Sequence, residues 1–186
     1  MSFSIHNNGA WSGIVEDKHY FDEKLSQEIF SVLKEKSIKD CADFGCGMGL
    51  YAKFLNDNHI KCECFDGNTE TTQLTQGLCK TLDLSNEFDL NTKYNCIISL
   101  EVGEHIPKKY EEIFIQNITR HVGQLLILSW AIPGQVGNGH VNLRPNDYII
   151  STIDNYGIKY NEHLSQRLRK SSQLWWFKNT IMVFQL

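Results

Sequence analysis

Little in this chain marks a fibrous, secreted, membrane-spanning or nucleic-acid-coating protein. Proline is scarce, 3 residues in 186, and no repeat or low-complexity tract accompanies it, which leaves no place for a Pro-rich linker. No apolar run approaches the roughly 20 residues that a membrane span needs, so no membrane partner is expected. The first residues, Met1 to His6, carry neither a basic cluster nor an apolar stretch and do not read as a secretory signal. An excess of cations is missing too. Lys and Arg number 18 against 22 Asp and Glu, a formal net charge of -4, which argues against nucleic acid held by bulk charge. The six cysteines (Cys41, Cys46, Cys62, Cys64, Cys79, Cys96) contain no C-x-x-C. Cys62 and Cys64, the only close pair, would share one face of a strand and not bridge. Without paired ligand spacing, free thiols in a reducing, cytoplasmic setting are expected rather than disulfides or a zinc cluster.

What is present suits one globular domain. Hydrophobic residues make up 41% and aromatics 11%, and a chain of this size buries about 70% of its unfolded surface. Residues 1–19 are polar and glycine-dotted, with Trp11 as the large apolar anchor, and read as an arm that either folds over the site as a lid or frays. Residues 20–186 read as a single domain. Phe21, Leu25, Ile29, Phe30, Val32 and Leu33 recur at helical spacing. After them strands are expected near 38–44, 60–65, 78–82, 94–100, 125–129, 158–160 and 180–185. Helices follow the glycine cluster at 45–49 and lie near 69–76, 107–121, 145–156 and 162–174. Strands that are nearly continuous apolar runs, alternating with helices, imply an α/β fold: a Rossmann-like doubly wound, mostly parallel sheet with helices on both faces. Ligands of such sheets sit at the carboxyl ends of the strands, and those ends carry the chemistry here.

The first strand ends in Asp43-Phe44-Gly45-Cys46-Gly47-Met48-Gly49. Alternate glycines allow a ligand to meet backbone N–H groups at a helix mouth, where negative charge is favoured. Asp66-Gly67 closes the next strand, and its distance from Gly45 matches the ~20 residues expected of a carboxylate that holds a ribose diol. Asp83-Leu84 closes the third. A nicotinamide site would need G-x-G-x-x-G, which this loop is not.

The run 43–49 resembles the D-x-G-C-G-x-G first motif of class I S-adenosylmethionine-dependent methyltransferases, and the resemblance extends over about residues 20–186. It implies S-adenosylmethionine as cofactor, held by Asp43, Gly45, Cys46, Gly47, Gly49, Asp66, Gly67, Asp83, Leu84 and Leu100. Asp66 would take the ribose and Asp83 the adenine amino group, and the closing strands would run antiparallel. The segment Glu101-Val102-Gly103-Glu104-His105-Ile106-Pro107 resembles the E-x-x-E-H-[VI]-P of quinone-biosynthesis O-methyltransferases and small-RNA 2′-O-methyltransferases. In some members it holds a divalent metal; in most it only shapes the site. Glu101, Glu104 and His105, about one helical turn apart, would face one point, and His140, in the G-H-[VI]-N run 139–142, is a fourth candidate ligand. The metal-free reading is preferred, because the sequence displays ligand types and not their convergence. In it His105, His140 and Glu101 are the candidate bases, a histidine needing little tuning to work near neutrality.

With little chain outside the core, the expected acceptor is the O or N atom of a small polar metabolite or glycan precursor. The alternatives are a metal-assisted RNA 2′-O-methyltransferase and a catalytically inert cofactor-binding module. The basic stretch Lys159, Arg167, Arg169, Lys170 and Lys178, followed by Trp175, Trp176 and Phe177, reads either as a nucleic-acid surface or, the preferred reading, as a solvated helix face beside core aromatics.

Overall fold

The computed structural model describes residues 4–13 and 19–186. A two-stranded hairpin, β1 (Ser4–Ile5) and β2 (Trp11–Ser12), precedes the main body. There α1 (Glu23–Glu35), β3 (Asp40–Phe44), α2 (Leu50–Asp57), β4 (Lys61–Asp66), α3 (Thr71–Leu74), β5 (Lys80–Thr81) and β6 (Tyr94–Ser99) follow in order. Next come α4 (Glu111–Arg120), β7 (Val122–Leu128), α5 (Asn146–Asp154), β8 (Lys159–Tyr160), α6 (Glu162–Ser171), α7 (Phe177–Thr180) and β9 (Met182–Gln185). The main sheet runs β5-β4-β3-β6-β7-β9-β8. Pairing is parallel from β5 to β7, and β9 is antiparallel to both β7 and β8. The order reverses at β3, so the crevice between the carboxyl ends of β3 and β6 is the topological switch point.

Two apolar clusters, one on each face, explain why the sheet is covered twice. Leu25, Ile29, Val32 and Leu33 of α1 pack with Leu55 of α2 and Leu164 and Leu168 of α6 on one face. Phe114, Ile115 and Ile118 of α4 with Ile149 and Ile153 of α5 cover the other. Both sets recur at three- and four-residue spacing, the requirement for one buried helical stripe. β7, buried from Leu125 to Leu128, needs apolar side chains toward both faces.

Element ends depart from the expectations for local reasons. Ser37 adopts φ 57 and the Ile38 N–H still bonds Leu33 O, so the first main-sheet strand begins at Asp40 and not at residue 38. Residues 177–180 form a helical turn, which delays the last strand to Met182. A 3-10 turn, Lys108–Tyr110, separates Pro107 from α4. Of the arm expected over residues 1–19, the described part is the hairpin and His19; residues 1–3 and 14–18 lie outside the described residues.

Among the described residues no helix is long and apolar enough to cross a membrane. Three cations of the basic stretch near α6 are tied to neighbouring elements. Arg167 bonds Glu28 and Glu35 of α1, the Arg169 Nε donates to Ile181 O at 2.7 Å, and Lys159 pairs with Asp154.

Candidate active site

A cavity of about 430 Å³ opens at the carboxyl ends of β3, β4 and β6. Asp43, Gly45, Cys46, Asp66, Gly67, Asp83, Leu84, Leu100, Glu101, His105 and His140 all border it. Gly47 and Gly49 stand behind this lining. An added Cβ at Gly47 would lie 2.3 Å from the His19 ring, and one at Gly49 would lie 2.4 Å from Cys79 Sγ. Gly49 is also left-handed, with φ 68, as the residue that opens α2. Sequence reasoning did not single out Asn8, Tyr51 or Gln135 as wall residues, and it placed Trp175 and Trp176 beside a basic helix rather than in the cavity. They converge from elements distant in the chain, and no short motif marks them.

The glycine loop differs from expectation in what it offers. Four of its N–H groups are spent internally: Gly45 and Cys46 donate to Phe65 O, Gly47 to Asp66 Oδ2 at 2.8 Å, and Gly49 to Cys46 O. The loop therefore contributes shape rather than an anion cradle. The charge of the lining agrees, for Asp43, Asp66, Asp83 and Glu101 border the cavity and no described Lys or Arg does. Burial raises the carboxyls of both Asp43 and Asp66 above the usual carboxylate range. Such a surface gains by receiving a cation. Asp83 is bonded by the Ser85 N–H and hydroxyl, by Asn86 and, at 2.9 Å, by the side-chain amide of Asn8.

That last bond anchors the hairpin across the open end. Gly9 packs so closely on the His105 carbonyl that a Cβ would lie 2.2 Å from its oxygen. Trp11 stands edge-on to His105, ring centroids 5.1 Å apart, and 5.7 Å from His19.

Beyond β6 the chain turns sharply. Glu101 holds φ 57, an uncommon conformation for a residue with a side chain and one concentrated at functional sites. Ser129, just past β7, accepts from the Glu101 N–H at 2.7 Å and donates to Glu101 Oε1 at 2.8 Å. Gln135 donates to the other carboxylate oxygen. Residues 102–106 form tight turns in place of the helical turn expected there. The four predicted metal ligands consequently divide. Donor atoms of Glu104, His105 and His140 lie within 4.8 Å of one another, and Glu101 falls outside that group.

Each member of this trio is prepared by its surroundings. His105 Nδ1 lies 3.2 Å from Gly139 O and His140 Nδ1 lies 3.1 Å from Gln135 O. A carbonyl only accepts, so both imidazoles carry their proton on Nδ1 and keep the Nε2 lone pair. Glu104 is fully buried, and its carboxyl meets that of Glu101. Its pKa is driven well above the usual range by burial and by the charge of Glu101. The loop that presents His140 is docked through the Val141 and Asn142 N–H groups to the Glu104 carbonyl. Asn142 also binds Glu111, and its carbonyl accepts from the Trp130 indole at 2.6 Å.

Electrostatics bear on His105 as a candidate base. Burial, reinforced by the adjacent His140, pushes His105 down to about 4. It is neutral near pH 7 but a much weaker base than an unperturbed imidazole.

No protein-family model matches the sequence, and no curated protein matches it. Solved structures do. The sugar N-methyltransferase KedS8 from Streptoalloteichus superposes with TM-score 0.70 at 12% identity, over 92% of this chain and 89% of that one. Magnesium protoporphyrin IX methyltransferase from Synechocystis, with bound S-adenosylhomocysteine, gives 0.63 at 16% identity over 86% and 80%. The methyltransferase domain of bacterial CtHen1-C gives 0.62 at 14% identity over 88% and 97%. The fold is that of the class I S-adenosylmethionine-dependent methyltransferases. In this methyltransferase fold the crevice at the reversal of strand order coincides with the acidic cavity.

Proposed function

We propose that the protein is an S-adenosylmethionine-dependent methyltransferase acting on an oxygen or nitrogen atom of a small polar metabolite or glycan precursor. The observation that carries this reading is the cavity at the switch point of a methyltransferase fold, lined by four carboxylates and by no described Lys or Arg. The residues fit a cofactor that bears an amino group and a sulfonium, and they do not fit a pyrophosphate. When bound, S-adenosylmethionine supplies an already activated methyl group, so the protein needs neither a redox group nor a covalent nucleophile.

The chain's own residues then bind and orient. Asp66, fixed by the Gly47 and Asn68 N–H groups, would hold the ribose hydroxyls. Asp83, which accepts from Asn8, would hold the adenine amino group. Leu84, Leu100 and Val102 supply apolar wall. The hairpin with Trp11 acts as a lid that excludes water and holds the acceptor, in-line placement being the main contribution a methyl-transfer enzyme makes. A hydroxyl acceptor also needs a base, worth about 10²–10⁴-fold. Glu101 and His140 serve there, while the neutral His105 accepts a hydrogen bond from the acceptor at Nε2 and sets its orientation.

A second reading is favoured by one specific observation, the convergence of donor atoms of Glu104, His105 and His140. The trio fits a divalent cation, which would lower the pKa of a bound acceptor hydroxyl. CtHen1-C shares the fold, and in this reading the acceptor is an RNA 2′-hydroxyl, as the resemblance of residues 101–107 implies. A radiolabelled methyl assay on fractionated cell extract, run in EDTA and then with Mg²⁺ or Mn²⁺ restored, decides between the readings. Label in small molecules that persists in EDTA supports the first. Label in RNA that requires the cation establishes the second. Bound cofactor with no labelled product identifies an inert binding module.

A further inference from the structure

A second convergence lies behind the glycine loop. Cys46 belongs to the loop, Cys64 to β4, and Cys79 to the residue before β5. Their sulfur atoms lie within 4.8 Å of one another, with Cys64 and Cys79 Sγ 2.6 Å apart. Absence of C-x-x-C spacing argued against any such cluster. That argument considers neighbours in sequence, whereas parallel strands bring residues 15 and 18 positions apart into contact.

The other three thiols do not join this group; Cys41 and Cys62 are cross-strand neighbours on β3 and β4. Cys62 and Cys96 direct Sγ to carbonyls of their own strands, and Cys41 is buried beside them. Cys46, Cys64 and Cys79 instead face each other. Cys64 and Cys79 are buried, while Cys46 borders the cavity and offers an ion a way in. The carboxylates of Asp43 and Asp66 are close enough for their charge to act on Cys46. A cation here would be drawn both by soft donors and by nearby negative charge.

We propose that Cys46, Cys64 and Cys79 form a binding site for a single thiophilic metal ion of the zinc and copper(I) class. Thiolates select such ions over hard cations. Three of them give copper(I) a complete shell or leave zinc one position for water. Loading a divalent ion displaces one proton from each thiol, so three Cys–SH groups and M²⁺ give a tris-thiolate complex of charge -1 and three H⁺. No oxidant takes part. The ion would tie the loop carrying Gly45 and Gly47 to β4 and to the segment before β5, bracing the floor of the cavity. The site stands apart from the methyltransferase reading, because metal uptake is measured directly.

Reduced full-length protein is titrated anaerobically with Cd²⁺ as the spectroscopic stand-in for Zn²⁺. The expected result is a thiolate-to-cadmium charge-transfer band that saturates at one equivalent, is lost in C46S, C64S and C79S, and is retained in C41S and C96S. A second arm needs no variant: in the wild type, Zn²⁺ should protect Cys46, Cys64 and Cys79 from alkylation mapped by mass spectrometry. Absence of a saturating band overturns the site, as does a band that survives in C64S/C79S. Alkylation of the three thiols unaffected by Zn²⁺ does the same. So does a Cys64–Cys79 disulfide as the sole change on exposure to metal.

Discussion

Asp22 joins the start of α1 to the segment that carries the cavity's tryptophans, and its removal has a calculable cost. One carboxylate oxygen accepts from the Leu25 N–H at 3.0 Å, capping the helix. The other accepts from the Ser172 hydroxyl at 2.6 Å and from the N–H groups of Gln173 and Leu174 at 2.7 and 3.0 Å. The residue is 1% exposed, so water cannot replace these bonds in place. Loss of an N-cap costs about 1 kcal/mol, and each buried donor left without an acceptor costs about 1–3 kcal/mol. Partial relaxation of 172–174 recovers some of this, and we expect Asp22→Ala to lose about 3 kcal/mol of unfolding free energy. Urea denaturation followed by circular dichroism measures it, the slope staying near the wild-type value. A loss below about 1 kcal/mol would refute the argument, since capping alone would account for it. The pH dependence has a definite sign. Burial acts to raise the Asp22 pKa, but the bonds from Ser172, Leu25, Leu174 and Gln173 outweigh it and leave the folded value below the usual carboxylate range. The unfolded chain therefore binds the proton more readily. This contribution is complete above the unfolded pKa and fades as pH falls through the folded one. The acid limb of the stability curve should flatten in Asp22→Ala.

Gly49→Ala places a Cβ at φ 68 and against Cys79 Sγ, and should lower stability by about 1–3 kcal/mol in the same denaturation assay; an unchanged midpoint would contradict the packing behind the loop. Ser129→Ala removes both bonds that hold Glu101 in its left-handed conformation, and should depress kcat more than it raises KM for the cofactor. Equal loss in both would place Ser129 in general packing. Glu111→Gln removes the charge and one of the two acceptor oxygens that Arg144 and Tyr148 now bond at 2.6 Å each, and should cost about 1–3 kcal/mol while loosening the loop that carries His140; hydrogen exchange across 139–144 measures that loosening.

What could be read from the chain was whatever depends on local pattern. Apolar runs such as 125–128 mark buried strands, and Asp43, Asp66 and Asp83 stand at successive strand ends because turns there are short and self-contained. What was hidden depends on distance in space. Two-residue strands carry too little alternation to foretell the hairpin, so the bond from Asn8 to Asp83 was invisible. The weak basicity of His105 arises from burial under Trp11 and beside His140, and sequence reports neither. Glu101 was grouped with Glu104 and His105 by assuming helical spacing. Its carboxyl still meets that of Glu104, but the turn at φ 57 leaves it outside the group that Glu104 forms with His105 and His140.

The account's central claim is that the acidic cavity binds S-adenosylmethionine through Asp66 and Asp83. Titration calorimetry of the full chain with S-adenosylhomocysteine, with NAD as the control, tests it most directly. The account predicts one-to-one binding of S-adenosylhomocysteine, none of NAD, and a loss in Asp66→Ala of about 1.5–3 kcal/mol, roughly 10- to 150-fold in affinity. No heat with S-adenosylhomocysteine, or wild-type affinity in Asp66→Ala, would contradict it.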